Sequence, residues 1–402
     1  MIYWIWLQQA LGHGNNKLNA IINKFSSAEK VYSAGDEGRR QSLIFTEREL
    51  RLMCDTSLQK AKSIYEKCVR ENITVVTPDM SVYPKPLRNI PNPPFVLYVK
   101  GRLPDFDNVP CMCVVGPRKV TEYGYKCAYS ISGRLCKAGF IIVSGGAMGS
   151  DAAAHQGALL NGGITVAILA NGFGDNYLVQ NEELRNEIMK KGCLITEYPP
   201  ETKVNRGVFQ QRNRIMSGLS MGVVIVEAAE KSGTLITARH AVEQNRDVFV
   251  IPGNPSLEQY KGSNKLLRDG AKPLTEINDI LGEYKTVLGD KIDAERAVQT
   301  PLAKMVKYAP VKATAHKDQP PKIEKKAPSE TEEIKKIKKI LPETLSKNAK
   351  IIYNQLDKQI FTCDDLLSPT MNSSSILSAL GELELLGFIK TLPGGRYTLS
   401  KR

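Results

Sequence analysis

The sequence predicts an α/β fold: a doubly wound, mostly parallel sheet with a small helical module before it and a winged helix after it. Three observations predict this. Between residues 109 and 283, short apolar runs alternate with helical patterns at short spacing, which is how parallel strands covered by helices are built. Residues 1–70 carry helical patterns. After residue 345 the chain returns to three helical patterns and a β-hairpin, the plan of a winged helix. The expected domains are therefore 1–70, 71–284, a linker at 285–345, and 346–402.

Trp4, Leu7 and Leu11 are spaced for one helix face. Gly12-His13-Gly14 breaks that helix, and Lys17 to Phe25 starts another. Short helices about a Gly-x-Gly turn resemble a helix-hairpin-helix or sterile-alpha-motif-like module. Its amides can hold a phosphate, but a plain packing turn is the commoner use of glycine and is favoured. The apolar start MIYWIWLQQALG lacks a basic region and a cleavage site, so it reads neither as a signal peptide nor as a spanning helix. Residues 73–76 and 95–99 are strand candidates among prolines, which confine them to an edge or a loop crossing.

Strands are expected at 111–115, 140–143, 164–169, 193–196, 222–226 and 247–251. Helices are expected at about 123–137, 150–161, 181–191, 210–219 and 234–245, with two more near 263–269 and 275–282. From 290 to 345 there are 13 Lys+Arg, 9 Asp+Glu and few large apolar residues, a composition that cannot bury a core and reads as a flexible tether. Beyond it, Ile351, Ile352 and Leu356 mark one helix, Thr362 to Leu367 a second and Ser373 to Leu386 a third. Residues 387–399 form the wing.

The chain has 402 residues, 42% hydrophobic and 24% charged, with a formal net charge of +13. That excess favours an anionic partner, nucleic acid first, over a charge kept for solubility alone. None of the eight cysteines forms a Cys-x-x-Cys pair. Most sit in apolar patterns, with Cys111 and Cys113 on one side of a strand, so buried free thiols in a reducing, cytoplasmic setting are expected.

Ligands of open α/β sheets bind at the carboxyl ends of the strands, and there the polar residues gather. The first strand ends in Gly116-Pro117-Arg118-Lys119 and the second in Ser144-Gly145-Gly146-Ala147. Glycines let amides approach a phosphate, though a tight turn needs glycine as well. Arg118 can clamp a phosphate bidentately, with a surface salt bridge as the alternative. Arg212-Asn213-Arg214 opens the helix before strand 222–226. It suits phosphates and a base edge, or pairs with Glu227 or Glu230. Asn171, Tyr177 and Asn181 add a lip where a base can stack. Ser232-Gly233-Thr234 opens the next helix and can merely cap it.

The glycine turn is neither a dinucleotide fingerprint nor a Walker loop. His155 and His240 read as helix residues with packing or hydrogen-bonding roles, and Asp151 as a helix N-terminal acid. No cluster has metal-ligand spacing, and Ser144 is not in a Gly-x-Ser-x-Gly elbow. No catalytic residue, metal or cofactor is expected.

Together these residues resemble the DNA-processing protein A family (DprA, also called Smf). Its pattern Val-Gly-x-Arg-x-x-Thr-x-Tyr-Gly is matched by Val115 to Gly124, with Thr121 as the threonine. Its Ser-Gly-Gly-Ala turn with the following Asp and Ala-His is matched by Ser144–Ala147, Asp151 and Ala154-His155. Arg212 to Ser220, Glu227-Ala228, Ser232 to Ala238, Pro252-Gly253 and Gly270-Ala271 complete the set. The resemblance covers most of the chain. It implies an extended Rossmann fold that binds single-stranded DNA, forms a homodimer and loads the recombinase RecA during natural transformation, without enzymatic turnover; from the N-terminal stretch, no membrane partner is expected.

The expected DNA-binding residues are Arg118, Lys119, Thr121, Ser144, Gly145, Gly146, Ala147, Asn171, Tyr177, Asn181, Arg212, Asn213, Arg214 and Lys265. The chain departs from the family pattern at Met148 (usually arginine), Ser150, Gln210, Leu178 and Ala170-Asn171-Gly172. Two other functions compete. One is a nucleotide or nucleoside-phosphate hydrolase on a related fold, for which an acid/base set is missing. The other is a duplex-binding regulator, undercut by a third C-terminal helix that has Glu382 and Glu384 but no Lys or Arg.

Overall fold

All five residues of the run Cys111–Val115 are buried, because helices cover both of its faces. Cys111, Cys113 and Val115 pack with Ile215, Met216, Ala238 and Ala241 on one side. Met112 and Val114 pack with Ala128, Leu135, Ala153 and Ala154 on the other. A strand covered twice reads as a continuous apolar run rather than an alternating one.

The computed structural model describes residues 1–175, 179–204, 206–305, 342, 345–355, 360–362, 366, 373–392 and 396–399. They fall into two units, 1–320 and 321–402. The first contains β1 (Thr74–Val76), β2 (Leu97–Gly101), β3 (Cys111–Val115), β4 (Ile141–Ser144), β5 (Thr165–Leu169), β6 (Cys193–Thr196), β7 (Gly222–Ile225), β8 (Asp247–Val250) and β9 (Lys272–Pro273). They form one sheet in the order β1-β2-β6-β5-β4-β3-β7-β8-β9. The strands from β6 through β9 are parallel, while β1 and β2 add antiparallel at the β6 edge. The proline-rich entry thus lies at an edge, as the prolines require.

Six helices precede the sheet: α1 (Ile2–Leu11), α2 (Leu18–Phe25), α3 (Ala28–Ser33), α4 (Gly35–Gln41), α5 (Glu47–Met53) and α6 (Gln59–Arg70). Their core does not end at residue 70. Trp4, Ile5 and Leu7 share it with Val75, Phe95 and Tyr98 of the sheet edge. The Gly12-His13-Gly14 turn serves that docking. Gln8 Nε2 donates to the Glu197 carbonyl (3.0 Å), the Gly14 N–H donates to the Glu197 carboxylate (3.4 Å), and the His13 ring lies 4.5 Å from that of Tyr198.

The sheet helices are α7 (Lys85–Arg88), α8 (Glu122–Lys137), α9 (Ser150–Leu160), α10 (Glu182–Lys191), α11 (Arg206–Leu219), α12 (Thr234–Glu243), α13 (Lys261–Arg268), α14 (Asn278–Leu288) and α15 (Ala294–Gln299). Ordered structure therefore continues past residue 284 into the stretch expected as linker. Ala297 is buried, Arg134 donates to the Ala297 and Val298 carbonyls (2.8 and 3.2 Å), and Tyr129 donates to that of Ala303 (2.9 Å). The described cysteines are free thiols, with Cys111 and Cys113 on one face, and Cys363 lies outside the described residues.

In the second unit, helices Lys347–Gln355 and Ser373–Leu385 pack through Ile352, Tyr353, Ile376, Leu380 and Leu383. The strands β10 (Ile360–Thr362), β11 (Ile389–Leu392) and β12 (Arg396–Leu399) form a sheet in the order β10-β12-β11. Thr362 therefore ends a strand. Of the helix expected from there to 367, only Leu366 is among the other described residues.

Candidate nucleic-acid interface

The chain runs outward from β3 through β4 and β5 to β6, then returns to β7 on the other side of β3. The carboxyl ends of β3 and β7 are side by side at this reversal, where open α/β sheets form crevices. A cleft of about 490 Å³ opens there between the loops after β3, β4 and β7, the helix α11 and the start of α12.

The β3 loop makes one wall. The Pro117 carbonyl accepts from the backbone N–H and the hydroxyl of Ser150, both at 3.2 Å. Arg118 follows, with its guanidinium carbon 5.1 Å from the centre of the Phe209 ring, within the range of a cation–π contact. Lys119, next along, is exposed.

The Ser144 turn makes the second wall. The Ser144 hydroxyl is fully buried and donates to the Val114 carbonyl (2.7 Å). Gly145 is required by close approach, since a Cβ there would stand 2.4 Å from Arg212 Nη1 and 2.5 Å from Asp151 Oδ2. Gly146 has φ +67°, a backbone region that favours glycine. Asn181 Nδ2 donates to the Gly146 carbonyl (3.1 Å), and the Ala147 N–H donates to Asp151 Oδ2 (3.3 Å).

Arg212 forms the floor and is only 6% exposed. Its Nη1 donates to the carbonyls of Gly145 (2.7 Å) and Ile168, and its Nε donates to Asn213 Oδ1 (3.2 Å). Burial holds the Asp151 carboxyl above the usual range, and the charge of Arg212, then the Ala147 N–H, pull it only partly back. The third wall carries Phe209, Asn213 and Met216 of α11. Opposite them, the Ser232 hydroxyl accepts from the Thr234 N–H (3.2 Å) at the start of α12.

The expected residues thus separate. Arg118, Ala147, Arg212 and Asn213 line the cleft. Ser144, Gly145, Gly146 and Asn181 shape its second wall. Asn171 donates to the Gly172 and Asp175 carbonyls (3.1 and 3.2 Å) and so holds its own loop. Thr121 caps α8 and is bonded to Glu227. Arg214 stands apart: its Nη2 donates to both Glu197 oxygens at 2.7 Å, a buried pair in which the arginine side chain is 4% exposed and the glutamate 2%. Lys265 is exposed on α13 and is not among the lining residues. Tyr177 and Leu178 lie outside the described residues. Met148 is half-buried and Gln210 lines the cleft.

Sequence reasoning missed Phe209 and took Asp151 only as a helix acid. The signal for Phe209 was its position, three residues before Arg212 and four before Asn213 on one helix.

His155 is a core residue. Thr165 Oγ1 donates to the Ile142 carbonyl (2.8 Å), so His155 Nδ1, 2.7 Å from that oxygen, is its donor. Burial, then the charge of Arg212, lowers this imidazole from 6.5 to about 3. Because the native ring stays neutral while the unfolded ring protonates, stability falls as pH drops below about 6.5 and keeps falling toward about 3. One such group contributes a slope of about 1.4 kcal/mol per pH unit. Urea midpoints at pH 7 and 5 should separate accordingly, and His155→Gln should narrow the gap. An unchanged gap would show that another group carries it.

Among the described residues no group of three or more His, Cys, Asp and Glu side chains could hold a metal ion, and no helix is long and apolar enough to cross a membrane.

A sequence model of the family described as DNA recombination-mediator protein A matches residues 73–285. Protein Smf of Synechocystis sp. is 31% identical over 98% of this chain and 98% of its own. DNA processing protein DprA of Bacillus subtilis is 38% identical over 53% of this chain and 72% of its own. The X-ray structure of DNA processing protein A from Streptococcus pneumoniae superposes with a TM-score of 0.60 at 31% identity, covering 70% of this chain and 98% of that one.

Proposed function

The chain belongs to the DNA recombination-mediator protein A family, and from that membership we propose that its cleft binds single-stranded DNA. Arg118 takes a backbone phosphate, the Phe209 ring beside it offers a face for a base, and Asn213 offers an amide to a base edge or sugar. Arg212 holds the floor from behind, its guanidinium engaged by carbonyls. The observation that carries this reading is the pairing of a cation and an aromatic face 5.1 Å apart at a topological switch point. Alternating charge and stacking is how proteins grip a flexible single strand without reading its sequence.

The finer role follows the family. The protein protects incoming DNA and loads RecA in natural transformation and recombination, acts as a homodimer in the cytoplasm, and carries out no turnover. Titration of the intact protein with a labelled single strand and with a duplex tests the reading. The single strand should bind more tightly and weaken steeply with salt, as phosphate contacts release counterions. Equal or tighter duplex binding would contradict it.

The second unit supports a role other than duplex reading for its helix Ser373–Leu385. The Glu382 and Glu384 side chains accept from the Ser346 and Thr391 N–H groups, both at 2.9 Å. Leu377 and Leu385, at 53% and 88% exposed, face solvent where a duplex-reading helix carries basic and amide groups. Deleting residues 346–402 should leave single-strand affinity within about twofold. A tenfold loss would place DNA contacts in this unit.

A further inference from the structure

We propose that Glu227 is a positioning residue for Arg118: its buried carboxylate fixes the far end of the loop that carries the guanidinium. The inference rests on the single-strand reading of the cleft. The loop after β3 is held at two points. At the near end, the Pro117 carbonyl accepts both Ser150 donors. At the far end, the Thr121 N–H donates to Glu227 Oε2 (3.2 Å) and the Thr121 hydroxyl to Glu227 Oε1. Only Arg118, Lys119 and Val120 lie between these anchors.

Glu227 directly follows the β7–loop junction at Val226 and is fully buried. Tyr260 donates its hydroxyl to the same Oε1 (2.9 Å) and lies 3.2 Å from Thr121 Oγ1. The carboxylate therefore draws three donors from two other segments to the point where the two switch-point loops meet. Bonds to a buried anion are the strong kind. Three residues strung between fixed ends lose little further freedom when a ligand arrives, and this is how a preorganised site gains affinity. Thr121, expected as a DNA contact, serves the site through this anchor instead.

Glu227→Gln keeps the volume but replaces one acceptor oxygen by a donor, so it cannot accept both Thr121 bonds. Fluorescence anisotropy with a labelled oligo-dT strand, on the full chain, tests the proposal as a cycle with Arg118→Ala. Glu227→Gln should weaken binding about 3- to 10-fold in the native background and by less than about twofold when Arg118 is already alanine. It should also reduce the salt slope as Arg118→Ala does. Thr121→Val should reproduce the loss and Thr121→Ser restore it, and these variants carry the test if Glu227→Gln does not fold. An equal loss in both backgrounds, or no loss, overturns the positioning role. Unchanged binding by Arg118→Ala alone is a different result: it removes the single-strand reading and this inference with it.

Discussion

Arg118→Ala should weaken single-strand binding by about 1–3 kcal/mol, the worth of a charge-assisted hydrogen bond. The fold should survive. Arg118 is half-buried on a loop whose anchors, Ser150 on Pro117 and Glu227 on Thr121, use backbone and neighbouring side chains rather than the guanidinium. Removing it takes away the cation that faces Phe209 and leaves the ring as a shelf without its phosphate partner. The slope of log K against log salt should drop by about 0.7, one phosphate contact on a single strand. A native slope and affinity in a folded variant would remove Arg118 from the interface.

Arg214→Ala should do the reverse, losing stability by about 3–5 kcal/mol because it leaves the Glu197 carboxylate buried without its partner. The pair joins α11 to the segment after β6, and the Gly14 N–H reaches the same carboxylate from the N-terminal helices. The loss should therefore loosen the docking of α1 as well, visible as a lower urea midpoint and faster amide exchange across residues 2–14. Glu197→Ala should match it. A stable Arg214→Ala protein with a large affinity loss would instead make Arg214 a DNA contact.

The sequence resolved what periodicity controls. The six central strands, the helices between them and the gathering of polar residues at the strand ends all follow from apolar runs and turn chemistry. It could not separate Arg212 from Arg214, because the partner that takes Arg214 away, Glu197, lies on another segment after β6. In a helix already running from Arg206, successive residues turn by about 100°. Asn213 therefore shares a face with Phe209, while Arg214 swings away to Glu197.

The stretch after residue 284 looked like tether because few and mostly small apolar side chains, Ile292, Ala294 and Ala297, dock it on the core, and its carbonyls add bonds from Arg134 and Tyr129. No side-chain pattern reveals such bonds. The boundary at residue 70 failed as a core boundary for a related reason. Val75, Phe95 and Tyr98 face the helical module across a sheet edge, a contact no local window contains.

The central claim is that a single strand lies in the cleft between the β3 loop and α11. Photocrosslinking of an oligonucleotide carrying 4-thiothymidine to the intact protein, followed by peptide mapping, tests it most directly. Adducts should fall on Phe209 and on the segment 116–119 and should disappear with excess unlabelled single strand. Adducts confined to the N-terminal helices or to residues 346–402 would contradict the account.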